Sequence, residues 1–286
     1  MTHKVYSYSS LARPLDPNFR TNLAVIILAP LGGIAVAIYL YLTNIMGIGD
    51  AVLLAIEAMF VAFLAWALGR ELDPDINQSA FVAMALALVA VALGYNTSIL
   101  NIAAVLFAVR IVNRTVGNPL KLIDLIMMGL FAAGLAILGA PWWTCFLIAA
   151  ALTIDTVFDQ TQGNNLMAAG VAFIAGLYAM AINGAPHPEN AVLIERGWLV
   201  AATVVGGLFL LMIFTTPEPQ SCCDVRLEEK LQKRRIQAGM ALALAGAVAC
   251  LFGGPPQLFA TLPVWAALAG VIEGRAMPKR PRQTPA

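Results

Sequence analysis

The chain has 286 residues, of which 60% are hydrophobic and 12% charged, with a mean hydropathy of +0.81. Soluble domains carry about 25% charged residues, so this composition excludes a soluble globular fold and points to an all-α, multi-pass membrane bundle in a lipid bilayer. A net charge of +1 predicts no acidic partner, nucleic acid included, and two distant histidines, His3 and His187, argue against a zinc site.

A polar arm, residues 1–22, carries Lys4, Arg13 and Arg20 and shows no apolar core of a signal peptide. A single transmembrane domain is expected over 23–272. Its first apolar runs fall at roughly 23–42, 51–68, 79–94, 98–112 and 122–139. The first is interrupted by Pro30, Gly32 and Gly33, a pattern for bending or close helix approach. The sixth run opens at Trp142 and Trp143, an interfacial anchor, and closes in DTVFD. Four more follow at roughly 166–183, 197–215, 238–253 and 257–272. Several runs fall short of the roughly 20 residues a full crossing prefers, so the expected count is about ten, with eight if a hairpin is re-entrant. Between the eighth and ninth runs lies the longest polar stretch, 216–237. Ser221 and Asp224 there have capping-box spacing, Glu229 stands four residues before Lys233, and a short basic surface helix is expected. Cys222 and Cys223 are adjacent in this loop, whereas Cys145 and Cys250 sit in apolar runs as small buried hydrophobes. The tail, 273–286, is basic, rich in proline and expected to be disordered.

Sorting the 17 Lys and Arg residues over ten alternating runs leaves Arg196 alone on one face and the other sixteen together. That asymmetry predicts successive hairpins with both termini in the cytoplasm, in what we expect to be a bacterial cytoplasmic (inner) membrane.

Asp155 and Asp159 stand slightly more than one helical turn apart and so can face the same way. They also lie at a helix C-terminus, where the backbone dipole disfavours acids unless a cation is near. Asp73 and Asp75 occupy another loop of the same face, as do Arg70, Arg110, Arg114 and Lys121. Paired carboxylates near basic residues suit Mg²⁺, which takes oxygen ligands and is commonly shared with substrate phosphates. The expected chemistry is therefore a lipid-linked phosphate or diphosphate. Asp155, Asp159, Asp73 and Asp75 would be metal ligands, and Arg70, Arg110, Arg114 and Lys121 phosphate contacts. The plainer alternative is that Asp155 and Asp159 simply pair with Arg110 or Arg114.

The layout resembles that of UbiA-type intramembrane prenyltransferases, which carry acidic motifs in the corresponding two loops. Asp155 and Asp159 match that family's DxxxD; the other loop reads GRELDPDINQ and lacks the family's Asn-Asp pair. The resemblance implies transfer from an isoprenoid diphosphate with Mg²⁺.

Glu57 supports a different class. It lies about two turns inside the second run, with no basic residue in the adjoining apolar runs. An ionised carboxylate at such depth costs about 2.5–3.5 kcal/mol on insertion scales. Glu57 is therefore a candidate proton site of a small-metabolite transporter, or a neutral carboxyl bonded to Asn101 or a backbone carbonyl. A third class, a non-catalytic subunit or assembly factor, needs no site, and the abundance of Ala and Gly suits close helix packing.

Overall fold

The apolar runs fold as α-helices because a backbone in hydrocarbon must satisfy its own N–H and C=O groups. A computed structural model describes residues 4–43, 47–159, 163–185 and 187–277. After a 3₁₀ turn at Lys4–Ser7 the helices are α1 (Arg20–Leu42), α2 (Ile48–Leu72), α3 (Asn77–Ala92), α4 (Ile99–Asn113), α5 (Leu122–Ile137), α6 (Trp142–Phe158) and α7 (Gly163–Asn183). A short α8 (Pro188–Val192) precedes α9 (Arg196–Thr215) and α10 (Lys233–Ala249). The chain then turns through a 3₁₀ segment, Cys250–Gly253, and α11 (Gly254–Ala260) into α12 (Leu262–Ala276). No strand occurs among the described residues; an isolated bridge joins Cys222 and Lys230.

Five stretches are long and apolar enough to cross a membrane: Arg20–Leu42, Ile48–Leu72, Gly163–Asn183, Arg196–Thr215 and Lys233–Ala260. Their outward faces are apolar, as lipid contact requires: Ile27, Leu31 and Ile34 on α1 and Leu210, Leu211 and Phe214 on α9 are exposed. The protein is thus a helical bundle of the integral-membrane kind. Of the shorter helices, α4 has a structural reason for its length. α4 has 15 residues, about 22 Å at ~1.5 Å per residue, against a hydrocarbon core of ~30 Å. It lies inside the bundle against α2, α6 and α10, with Ala104, Val105, Ala108 and Val109 fully buried. A helix walled by other helices need not match the bilayer.

Small residues set the closest approaches. The Pro30–Gly33 stretch does not break α1; it lets α2 in. A Cβ on Gly33 would stand 2.5 Å from the carbonyl oxygen of Ala55. Gly270 and Gly274 on α12 do the same against α3, where added Cβ atoms would meet Ser79 O at 2.6 Å and Ser79 Cα at 2.7 Å. This is the small-xxx-small geometry of membrane helix pairs, and α12 packs against α3 more extensively than any other two helices here.

Loops gather at two ends. At one, the arm, the ends of α2, α4, α6, α9 and α12 and the starts of α3, α5, α7 and α10 meet through polar contacts. These include Arg13 on Glu71, Ser10 on Asp124, Asn165 on Asp155 and Arg275 on Asp73. We call this the basic end. At the far end Ser98 N–H bonds Ala260 O, Asn183 bonds Ala140 O, and Tyr95 packs on Trp198 and Phe259. The basic loops thus lie together at one end.

The expected surface helix in 216–237 is absent. Residues 221–231 fold back as a small hairpin, with Cys223 N–H on Glu229 O and Leu231 N–H on Ser221 O. Tertiary partners override local propensity. Asp75 takes the Ser221 N–H and hydroxyl, Arg13 takes Asp224, and the 224–225 backbone docks on Thr115 and Val116. Glu229 pairs with Arg226 instead of Lys233, which opens α10. Residues 278–286 of the tail, with Lys279, Arg280 and Arg282, lie outside the described residues.

Candidate functional site

Asp155 lies in the last turn of α6 and is completely buried. A buried carboxylate at a helix C-terminus requires cations, and it has two. Arg114 grips it bidentately, Nε on Oδ1 and Nη2 on Oδ2, both at 2.7 Å. Arg235 Nη1 reaches Oδ1 at 2.8 Å, and Asn165 Nδ2 reaches Oδ2 at 3.0 Å. Arg114 can do this because it is the C-cap of α4 in the left-handed conformation, φ 49°. Its remaining nitrogen, Nη1, donates to Asp159. Burial pulls the Arg114 guanidinium down, but the bonds to Asp155 and Asp159 outweigh it and hold it above its usual value. The two aspartates therefore do face one way, as their spacing predicts, and the partner is Arg114 rather than Arg110.

Arg110 instead bonds Glu71 at 3.0 Å. Glu71 is fully buried and also receives Arg13 at 3.3 Å and Thr115 Oγ1 at 3.4 Å. Arg13 closes a second pair on Asp224, Nε to Oδ2 at 2.7 Å. Burial lowers Arg13, and Glu71 and Asp224 more than reverse this, leaving it raised. The arm is thus anchored. Ser9 and Ser10 fasten it further to Asp124, which also caps α5, and Lys121 Nζ donates to Tyr6 O at 2.6 Å. Arg70 stacks over Trp66 at 5.5 Å and reaches Thr21.

Asp73 and Asp75 are placed elsewhere again. Asp73 accepts from Ser79 Oγ at 2.9 Å and from Arg275 at 3.3 Å. Burial pushes its carboxyl up, against the pull of Arg275. Asp75 accepts the N–H groups of Gln220 and Ser221. Neither bonds Arg114, Arg235 or Asn165, the described partners of Asp155. Among the described residues no group of three or more His, Cys, Asp or Glu side chains is arranged to hold a metal.

Beside the Arg114–Asp159 pair lies a polar cavity of about 330 Å³. Arg114, Arg226, Lys230 and Arg235 line it, with Asp159, Glu229 and Phe158. Asp159 and Glu229 in the wall, with Asp155 behind Arg114 and Arg235, offset three of the four cations and leave a surplus of one positive charge. Arg235 is positioned by Asp155, by the carbonyl of Val112 at 2.9 Å and by stacking on Phe158 at 5.1 Å. Of the cations expected to meet phosphate, only Arg114 lines this cavity. Arg226, Lys230 and Arg235 come from the stretch expected to be a surface helix, and its run of basic residues is the one sequence signal that points to them.

At the far end, Glu57 Oε1 accepts from Thr97 Oγ1 at 3.3 Å, not from Asn101. Thr97 belongs to the turn between α3 and α4, whereas α2 continues nine residues beyond Glu57 to Ile48. The bundle is therefore stepped: the α3–α4 turn lies roughly 13 Å below the tip of α2 at ~1.5 Å per residue. Glu57 meets this polar turn on one side and has Leu53, Ile56 and Phe60 on the other. The cleft above that turn measures about 720 Å³.

No family model, curated protein or solved structure matches the chain. The resemblance to the prenyltransferases therefore rests on its two loops alone.

Proposed function

We propose that the protein is an intramembrane enzyme that acts on a lipid-linked phosphate or diphosphate, with the phosphate held in the cavity at the basic end. The observation that carries this is the convergence of Arg114, Arg226, Lys230 and Arg235 on one polar cavity. Guanidinium groups bind phosphate oxygens through strong, directional charge-assisted bonds. Val157 and Phe158 are exposed at the rim, 72% and 39%, so an isoprenoid tail would leave the cavity along α6 into lipid. Asp155 acts as a positioning residue that holds Arg114 and Arg235 at the wall. Its oxygens are engaged by guanidinium and amide donors, so it fits poorly as a metal ligand. Any Mg²⁺ would arrive with the diphosphate and meet Asp159, the carboxylate at the cavity wall. Arg70, Arg110 and Lys121 serve the scaffold in this reading, as do Asp73 and Asp75. The excess of basic residues supports placing this end, with both termini, in the bacterial cytoplasm.

The test is binding of an isoprenoid diphosphate to purified protein, with and without Mg²⁺. Arg226→Ala/Lys230→Ala should weaken binding at least tenfold, since each charge-assisted bond contributes about 1.5–3 kcal/mol. Unchanged affinity in the double variant, or no binding by the wild type, would sink the proposal.

The cleft at Glu57 favours a second reading, proton-coupled transport. The buried apolar residues between the two ends, Ala58, Val61, Ala62 and Ala65 on α2 with Ala104 and Ala108 on α4, weigh against an aqueous path. Loss of a transport phenotype in Glu57→Gln but not in Asp155→Asn would reverse the preference.

A further inference from the structure

Two walls of the basic cavity come from parts of the chain far apart in sequence. One is the α4–α5 loop, with Arg114, Gly117 and Pro119; the other is the 221–231 hairpin, with Cys223, Arg226 and Lys230. They meet closely. Gly117 has φ 95°, and a Cβ there would stand 2.8 Å from Cys223 Cβ. The N–H groups of Asp224 and Val225 bond the carbonyls of Thr115 and Val116 at 3.0 and 3.1 Å. A two-stranded hairpin is marginally stable at best by itself, so what it docks on decides where it lies.

The N-terminal arm bonds both walls. Ser10 Oγ donates to Pro119 O at 2.6 Å. Arg13 Nη2 donates to Asp224 Oδ1 at 2.9 Å, and its Nε stands 2.7 Å from Oδ2. Arg13 Nη1 rests on Glu71, a fixed point at the end of α2. Between Ser7 and Arg20 the arm has neither helix nor strand, so these side-chain bonds set its course. Asp224 stands two residues before Arg226, and the hairpin supplies two of the four cations in the cavity wall, Arg226 and Lys230. Arg13 and Asp224 are 23% and 22% exposed, against 11% and 0% for Arg114 and Asp155. The better solvated pair is the one that opens first.

We propose that the N-terminal arm is a strap that regulates the basic cavity through the Arg13–Asp224 pair. With Arg13 on Asp224, the hairpin is held against the α4–α5 loop and Arg226 and Lys230 stay at the wall. With Arg13 released, the hairpin lifts and takes both cations with it. Arg13 does not line the cavity; it is a positioning residue that acts through Asp224. The regulatory role rests on the cavity being the phosphate site, whereas the strap itself does not. Linkage makes the coupling reciprocal: an anion bridging Arg114 and the hairpin tightens an arm that it does not touch.

The probes are a maleimide and inorganic pyrophosphate, applied to the full chain in detergent with Cys222→Ser so that Cys223 reports on the hairpin. Arg13→Ala and Asp224→Ala should each speed Cys223 modification about tenfold, the loss of one part-buried charge-assisted contact. Each should weaken pyrophosphate binding by about threefold or more, as the hairpin's cations are held less firmly. Adding Asp224→Ala to Arg13→Ala should change neither reading further, because both remove the same contact. Bound pyrophosphate should slow tryptic cleavage at Arg20 about threefold in the wild type and not at all in Asp224→Ala. Cys223 modification at the wild-type rate in both variants, additive effects in the double variant, or bound pyrophosphate that protects Arg20 in both proteins or in neither would overturn the strap. Faster Cys223 modification in a chain that binds no pyrophosphate would support the strap and overturn the function assigned to the cavity instead.

Discussion

Arg114 and Asp155 meet through two parallel N–H···O bonds of 2.7 Å, joining the C-cap of α4 to the last turn of α6. Asp155 is fully buried and the Arg114 side chain is 11% exposed. Breaking such a pair strands a charge, which costs about 3–5 kcal/mol. Arg114→Ala should therefore lower thermal stability in detergent sharply. Arg114→Lys should recover little, because a point charge cannot reproduce the fork. Asp155→Asn should cost at least as much, because it leaves the buried Arg235 guanidinium without its carboxylate. A wild-type melting curve for Arg114→Ala would show that Arg235 and Asn165 suffice.

The arm should come loose without unfolding the bundle. Arg13 is its main anchor, on Glu71 and Asp224. In Arg13→Ala, trypsin should cut at Arg20 faster, by roughly tenfold, as local opening becomes easier. Helical circular dichroism should stay near wild type. Equal cleavage rates would assign the anchoring to Ser9 and Ser10 instead.

The adjacent cysteines should behave differently. Cys222 is exposed and Cys223 buried. Burial pushes the Cys223 thiol up, and Glu229 and Asp224 add to the shift. The folded state thus favours the neutral thiol. Its contribution to stability is complete below the ordinary thiol value of 9.0 and is lost as pH climbs through the raised one. At neutral pH a maleimide should modify one thiol of this pair, Cys222. Cys223 should react only after the hairpin opens or at strongly alkaline pH. Simultaneous labelling of both at pH 7 would contradict this.

Much of the scaffold is legible in the residues. Apolar run length marks the helices, and the sorting of basic residues anticipates which loops share an end. DxxxD spacing does predict that Asp155 and Asp159 converge. What escapes is long-range pairing. Arg235 and Asp155 are 80 positions apart and Arg13 and Glu71 are 58 apart, and no local pattern connects them. The 221–231 hairpin escapes for the same reason, since its sequence favours a helix and its docking on Thr115, Val116 and Asp75 decides otherwise. The partner of Glu57 is Thr97 rather than Asn101, and run lengths, which carry no information on relative height, could not show that the α3–α4 turn stands beside it.

Gly270→Leu should destabilise by about 1–3 kcal/mol or more, because the Cβ alone would lie 2.6 Å from Ser79 O. Gly207→Leu on α9 is the control: no atom stands within 4 Å of its Cβ position. Equal melting temperatures for the two variants would remove the α3–α12 contact from the core of the fold.

The seam between α12 and α3 also bears on how the protein is made. The partner that fills the small-residue face of α3 is the most C-terminal of the described helices, and Asp73 obtains Arg275 only when that helix arrives. The early hairpins must wait in the bilayer with an open flank and an unpaired acid. Docking of α12 therefore closes this flank, and a nascent chain stalled before α12 would present quality-control proteases with a ready-made defect.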